Sequence, residues 1–296
     1  MLMQPRYFFT KKRQENRMNV EYALKFATEQ IGGSDNNIKA NIDARYIVSY
    51  ILQKDFTWLR AWQDQELSNE QKLTLEGLVE RRKCGEPIAY ITREKDFWSL
   101  TLETNSSTLI PRPETELLVE NALEFLKDRP IAKILDLGTG TGAIALAIAS
   151  ERKNDSIVAT DIVQDAVELA TRNAEKNNIN NVKILQSDWF SNITESKFDL
   201  IVSNPPYVEE SDPHLSQGDL RFEPSSALTS GDNGLADIKI IIAESRGRLV
   251  RGGMLMIEHG FEQGKKVRNM YVEQGFSEVE TVIDLSDLDR ITVGLK

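Results

Sequence analysis

Ile134-Leu135-Asp136-Leu137-Gly138-Thr139-Gly140-Thr141-Gly142 reads as a strand, a tight turn and the start of a helix. Glycines at such a turn remove the Cβ atoms that would hold a ligand away from the backbone. Working outward, short apolar runs alternate with helical stretches. The expected strands are Ala132–Asp136, Ile157–Asp161, Val182–Gln186, Phe198–Ser203 and Gly253–Glu258. The expected helices between them are Gly142–Arg152, Gln164–Asn177 and Ala236–Val250. This alternation predicts an α/β fold with a parallel, doubly wound sheet. Two further strands, Glu278–Ile283 and Arg290–Gly294, end the chain.

Upstream the pattern changes. Val20, Ala23, Leu24 and Ala27 lie at helical spacing, and helical patterns continue through Asp43–Leu52 and Asn69–Lys83. Asp43 and Ser68 are expected N-caps and Gly85 an expected helix stop. Residues 18–92 therefore read as a small N-terminal helical bundle. Residues 93–112 read as a hairpin or linker, ending where Pro111-Arg112-Pro113 breaks the chain, and residues 113–296 as the α/β domain. Residues 1–17 show no apolar period and are expected to be a disordered extension.

The glycine turn is ambiguous by itself. Gly138, Gly140 and Ala143 also satisfy the G-x-G-x-x-G/A dinucleotide pattern, and Asp161, at the end of the next strand, suits ribose hydroxyls in either case. Two details favour S-adenosyl-L-methionine over NAD. Asp136, just before the glycines, would repel a pyrophosphate; it can instead hold the turn by hydrogen bonds or attract the cationic methionine portion. Asp188-Trp189 then places a polar group and an indole where an adenine can lie. The expected cofactor residues are Asp136, Gly138, Thr139, Gly140, Thr141, Gly142, Asp161, Asp188 and Trp189, to which the family resemblance described below adds Asn204.

Asn204-Pro205-Pro206-Tyr207 follows the fourth strand at its carboxyl end, the ligand side of an open α/β sheet. Proline fixes its own φ and keeps the preceding residue extended, so this loop is stiff. It is rich in acceptors and poor in donors, which suits a substrate presenting an –NH2 group. The Asn204 side-chain oxygen and the Pro205 carbonyl can each accept one N–H, and Tyr207 can pack against a flat group. Asn204, Pro205 and Tyr207 are the expected catalytic residues; Pro206 and Phe97 join them as substrate-binding residues.

The bulk composition narrows the class. The chain has 296 residues, 40% hydrophobic and 28% charged, as in ordinary soluble proteins. One cysteine and two histidines argue against a disulfide and against a Cys- or His-rich metal site, so no metal is expected. No apolar run approaches the ~20 residues that span a bilayer, and a cytoplasmic location without membrane contact is expected. Residues 1–17 carry a net +4, which leaves −14 on the rest of a chain whose net charge is −10. An acidic body disfavours a broad phosphate-binding surface, so no direct nucleic-acid contact is expected.

At this point the chain resembles the release factor glutamine methyltransferases, over roughly residues 18–296. The resemblance rests on the Asn-Pro-Pro-Tyr loop and on Gly85-Glu86-Pro87-Ile88-Ala89-Tyr90, Phe97-Trp98, Ile110-Pro111-Arg112-Pro113-Glu114-Thr115-Glu116, Asp212–Leu215, Arg221–Pro224, Glu258-His259-Gly260 and Asp289-Arg290. It implies a Rossmann-like class I methyltransferase sheet of seven strands with a small N-terminal helical domain that contacts the release factor. It implies N5-methylation of the glutamine in the Gly-Gly-Gln motif of class 1 peptide chain release factors, with S-adenosyl-L-homocysteine as the product. The chain departs from the family at Ile91-Thr92-Arg93-Glu94, where a glycine is usual. A monomer is expected.

Other classes share the loop. A ribosomal-protein glutamine methyltransferase is the nearest alternative; the Gly85–Tyr90 and Pro111–Glu116 segments favour release factors. An N6-adenine nucleic acid methyltransferase should carry a basic target-recognition region, which this acidic body lacks. A non-catalytic cofactor-binding module has no use for Asn204. His214, His259 and Arg112 stand as residues with either a structural or a site role.

Overall fold

A computed structural model describes residues 18–32, 38–194 and 197–296. The expected extension, residues 1–17, lies outside the described residues. The chain divides into two compact units, Met1–Thr92 and Arg93–Lys296.

The first unit contains α1 (Val20–Gly32), α2 (Ile38–Leu52), α3 (Phe56–Ala61), α4 (Asn69–Lys83) and α5 (Ile88–Thr92). Its core joins Val20, Ala23 and Ala27 of α1 to Ala44, Ile47 and Val48 of α2 and Leu75, Leu78 and Val79 of α4. These positions recur every three or four residues, so each helix buries one stripe. Ser68 caps α4 in a reciprocal capping box with Gln71. Gly85, at φ 91°, ends that helix in the left-handed region. Asp43 corrects the expectation of an N-cap. Helix α2 already begins at Ile38, and Asp43 sits within it, buried, with Oδ2 2.7 Å from Arg82 Nε. The carboxylate tolerates burial there because a guanidinium from α4 meets it.

The second unit opens with a hairpin, β1 (Glu94–Phe97) and β2 (Leu100–Glu103), followed by α6 (Glu116–Leu126). Then come β3 (Lys133–Leu137), α7 (Ala143–Glu151), β4 (Ser156–Asp161), α8 (Gln164–Lys176), β5 (Val182–Gln186) and β6 (Phe198–Ser203). The chain ends with α9 (Gly231–Gly234), α10 (Ala236–Arg248), β7 (Leu249–Glu258), α11 (Gly264–Glu273), β8 (Ser277–Ile283) and β9 (Asp289–Leu295). The seven-stranded sheet has the order β5-β4-β3-β6-β7-β9-β8. It is parallel except at β9, which pairs antiparallel with both β7 and β8.

The period-two alternation of the strands divides the core between two faces. Ile134, Ala159, Leu200 and Val202 pack with α6 and α7, while Leu135, Leu137, Val158 and Ile201 pack with α10 and α11. Helix α7 is buried along its length from Ala143 to Ala149, which its nearly all-apolar sequence permits. Strand β7 starts at Leu249 rather than at Gly253, because α10 stops at Arg248 and Leu249 is already extended.

Candidate active site

The glycine turn follows β3, Asp161 ends β4, Asp188 follows β5 and Asn204 follows β6, so all four lie at the carboxyl end of the sheet. Strand β3 is flanked by β4 on one side and β6 on the other. The connections leave β3 in opposite directions, which opens a crevice at this point of the sheet. A cavity of about 410 Å³ lies there, lined by residues that include Gly138, Thr139, Gly140, Thr141, Asp161, Asp188, Trp189, Asn204 and Pro206. That volume falls in the usual small-molecule range of roughly 300–1,000 Å³.

The turn is tied to β4 at two successive residues. Thr139 N donates to Thr160 O at 2.8 Å, and Gly140 N donates to Asp161 Oδ2 at 2.9 Å. Val163 N donates to the other oxygen of Asp161 at 2.9 Å. Burial pushes the Asp161 carboxyl above its ordinary range, against the pull of these backbone donors. Gly138 has φ 70°, and a Cβ there would stand 3.5 Å from the Trp189 ring. The bare backbone at Gly138 thus lets the Trp189 ring pack close to the turn.

Asp136 is fully buried and does not line the cavity. Its Oδ2 accepts from the Thr139 hydroxyl at 2.6 Å and from Ala145 N at 3.2 Å, while Oδ1 is buried without a partner. Burial raises its pKa to about 7. Of its two expected roles, this geometry matches the one that holds the turn. Gly142 also lies off the cavity; it is the left-handed N-cap of α7, at φ 85°.

Asn204 lines the cavity, and its Nδ2 donates to Thr115 Oγ1 at 3.2 Å. Among the described residues no donor reaches Asn204 Oδ1 or the Pro205 carbonyl. The Tyr207 ring packs with the α10–α11 face of the core, and its hydroxyl lies 3.5 Å from Glu258 Oε1. Burial raises the Tyr207 pKa well above the ordinary phenol value, so the ring stays neutral. The loop is held from behind by Gln263. Its Nε2 donates to Tyr207 O at 3.0 Å, and its Oε1 accepts from Gly260 N at 2.9 Å.

Phe97 differs from expectation. It is 1% exposed, packs with Leu102, Leu118 and α7 in the core, and does not line the cavity. It closes the β1 end of the hairpin, whose next residue, Trp98, turns at φ 56°. The remaining ambiguous residues find structural partners. Arg112 Nη2 bonds both oxygens of Glu223, at 2.8 and 2.7 Å, and also borders the cavity. His259 is buried, with Nδ1 3.0 Å from Gly260 O and Nε2 2.8 Å from Thr292 Oγ1; burial lowers its pKa, so it is neutral. His214 is exposed and bonded to Asp212 Oδ1 at 2.7 Å. Among the described residues no cluster of three or more metal-ligating side chains occurs. No described helix is long and apolar enough to cross a membrane.

Two family models match the chain: the PrmC N-terminal domain over residues 23–92 and the methyltransferase small domain over residues 113–222. The release factor glutamine methyltransferase of Escherichia coli (strain K12) is 48% identical over 277 residues, which cover 94% of this chain and 99% of that protein. The chain belongs to the release factor glutamine methyltransferase family. The Shewanella oneidensis member is 49% identical, covering 92% of this chain and 94% of its own. Solved structures extend the likeness in fold alone. A Pyrococcus furiosus methyltransferase aligns with a TM-score of 0.50 at 21% identity, covering 75% of this chain and 97% of that one. A Thermus thermophilus 16S rRNA methyltransferase, solved with AdoMet and guanosine, aligns with a TM-score of 0.51 at 22% identity, covering 69% of this chain and 49% of that one.

Several residues around the family's loop escaped the sequence reading. Thr115 and Glu258 sit in segments that carry the resemblance, but nothing local places Thr115 at Asn204 or Glu258 at the Tyr207 hydroxyl. Gln263 and Gly234, which contact the Tyr207 peptide, gave no readable signal.

Proposed function

We propose that this chain transfers a methyl group from S-adenosyl-L-methionine to the side-chain amide nitrogen (N5) of the Gly-Gly-Gln glutamine of class 1 peptide chain release factors. The observation that carries the reading is Asn204. Its NH2 group is engaged by Thr115, while among the described residues no donor reaches its oxygen, and the residue lines the cavity. That arrangement suits a planar amide bringing two N–H groups, one for Asn204 Oδ1 and one for the Pro205 carbonyl.

The cavity fits the methyl donor. The Cβ-free backbone at Gly138 and the Trp189 indole both line the cavity, and a flat base can lie over them, with the exposed Asp188 carboxylate beside it. Asp161, already anchored by two backbone donors, keeps acceptor capacity for ribose hydroxyls. S-adenosyl-L-methionine supplies a methyl carbon made electrophilic by sulfonium. An amide nitrogen is a poor nucleophile because its lone pair is delocalised, so the chain must act by positioning. Two acceptors on the N–H groups push electron density back onto nitrogen and stabilise the positive charge that develops there. Orientation of this kind can supply about 7–11 kcal/mol. The nitrogen–carbon bond forms as the carbon–sulfur bond breaks, and the methylated, acidic nitrogen then loses its proton to water, without a strong general base.

In this reading residues 18–92 contact the release factor, residues 93–112 form the hairpin linker and residues 113–296 carry the chemistry, in a cytoplasmic monomer. The net −14 of residues 18–296 supports a protein over a nucleic acid substrate. Purified enzyme with labelled cofactor, offered a release factor, a ribosomal protein and duplex DNA in parallel, tests it. Label is expected on the release factor; label on the ribosomal protein or the DNA alone would overturn the choice.

A further inference from the structure

Asparagine is a poorer helix former than alanine or leucine, and its amide is costly to bury unless it is bonded. Asn173 nevertheless lies within α8 and is fully buried. Its amide makes three bonds, and all of them leave the helix. Glu103 N donates to Asn173 Oδ1 at 2.6 Å, while Nδ2 donates to Glu103 O at 3.1 Å and to Thr141 O at 2.9 Å. Turned over, the amide would set its oxygen against two carbonyls and its NH2 against an N–H, so one orientation is selected. We propose that Asn173 is a positioning residue for the methyl donor, a buried brace that sets the spacing between the glycine turn and the Ser107–Leu109 segment. The proposal rests on the reading of the cavity as the S-adenosyl-L-methionine site.

Both ends of the brace lead to the cavity. Thr141 belongs to the glycine turn and lines it. Glu103 ends β2, and four residues further on Ser107, Thr108 and Leu109 line the same cavity. The step between them is fixed. Thr104 N donates to Arg93 O at 3.1 Å, and Asn105 Oδ1 accepts from Ser107 N at 2.9 Å and from the Ser107 hydroxyl at 2.5 Å. The segment also meets the turn directly, because a Cβ on Gly140 would stand 3.8 Å from Thr108 Cβ. A shift at Glu103 is therefore carried to Ser107–Leu109 and felt at the turn.

Helix α8 fastens the hairpin elsewhere as well. Lys176 Nζ lies 2.6 Å from Glu94 Oε1, and Asn177 Nδ2 donates to Thr101 O at 3.2 Å. Of these three side chains, Asn173 alone also reaches the glycine turn. That separates a brace for the cavity from a plain fastening of the hairpin. With adenine assigned to Trp189 and ribose to Asp161, the part of the cofactor left for Thr141 and Ser107–Leu109 is the methionine portion. The brace should therefore matter to ligands that carry that portion and little to adenosine. Preorganised walls of this kind raise affinity because the ligand does not have to order them.

The test is isothermal titration of S-adenosyl-L-homocysteine and of adenosine into wild type, Asn173→Ala and Asn177→Ala. Asn173→Ala should weaken S-adenosyl-L-homocysteine binding by about tenfold, the worth of one lost hydrogen bond, and leave adenosine binding near wild type. Asn177→Ala, which loosens the hairpin without touching the turn, should bind both ligands nearly as wild type does. Unchanged S-adenosyl-L-homocysteine affinity in Asn173→Ala, or an equal loss in Asn177→Ala, overturns the brace. Should Asn173→Ala not fold, the wild type decides, because coupling between brace and ligand is reciprocal. S-adenosyl-L-homocysteine should then slow hydrogen exchange at the Glu103 amide, which donates to Asn173 Oδ1. Unchanged exchange in the liganded protein overturns the proposal. A wild type that binds neither ligand would overturn the cofactor reading and the brace with it. A wild type that binds, with an Asn173→Ala that binds equally well, overturns the brace alone.

Discussion

Gly234 is packed against the carbonyl of Tyr207 so closely that a Cβ on Gly234 would stand 2.1 Å from that oxygen. Its φ of 80° is also in the left-handed region, as are those of Asp232 and Asn233 before it. The same carbonyl takes the Gln263 amide, so the end of the Asn-Pro-Pro-Tyr loop is gripped from two sides. Gly234→Ala must therefore displace the Tyr207 peptide, at a cost of about 2 kcal/mol or more in stability from strain and clash together. Urea unfolding measures the loss. Turnover should fall by more than cofactor affinity does, because in the proposed reading the loop holds the substrate amide.

The Arg112–Glu223 pair gives a prediction whose size depends on pH. The Glu223 side chain is fully buried and that of Arg112 is 30% exposed. Burial raises the Glu223 pKa, and Arg112 pulls it back. A carboxyl raised in the folded state contributes stability that is fully present below its unfolded pKa and is lost as pH rises through the folded one. Arg112→Met removes the counter-charge and raises the folded pKa further. The variant should be close to wild type at acid pH and weaker by roughly 3 kcal/mol once Glu223 must ionise, the low end for a broken buried pair. Unfolding curves taken across pH test this, and a cost independent of pH would count against it.

Asp136 gives the opposite result on substitution. Its pKa rises from 3.8 to about 7, so its contribution is full below about 3.8 and is lost as pH climbs through about 7. Asp136→Asn keeps an acceptor for Thr139 and Ala145 but has no charge to bury. Relative to wild type, this variant should gain stability with rising pH between those values, on the order of 1.4 kcal/mol per unit. Thermal melts at a series of pH values measure the trend.

Asp161 joins the glycine turn to the cavity through Gly140 N and Val163 N. Asp161→Ala should weaken S-adenosyl-L-methionine binding by at least about tenfold, or ~1.4 kcal/mol, in isothermal titration. Thermal stability should change less than affinity.

What could be read from the sequence was the chemistry carried by neighbouring residues. The glycine turn, the stiff double-proline loop and the Ser68 cap all depend on backbone geometry within a few positions. Asp43 was misplaced because its partner, Arg82, is 39 residues away. Phe97 was assigned to the substrate pocket, yet the hairpin folds it into the core beneath α6 and α7. Thr115 went unassigned because it meets Asn204 across 89 residues. Gly234 and Gln263 act on a peptide contributed by another loop, and no local pattern encodes that contact.

The most direct test of the central claim is mass spectrometry of the Gly-Gly-Gln peptide from a release factor incubated with cofactor and either wild-type enzyme or Asn204→Ala. The account predicts one added methyl on the glutamine side chain with wild type and none with the variant, while the variant still binds cofactor. An unmodified glutamine with the wild-type enzyme, or full methylation by Asn204→Ala, would contradict it.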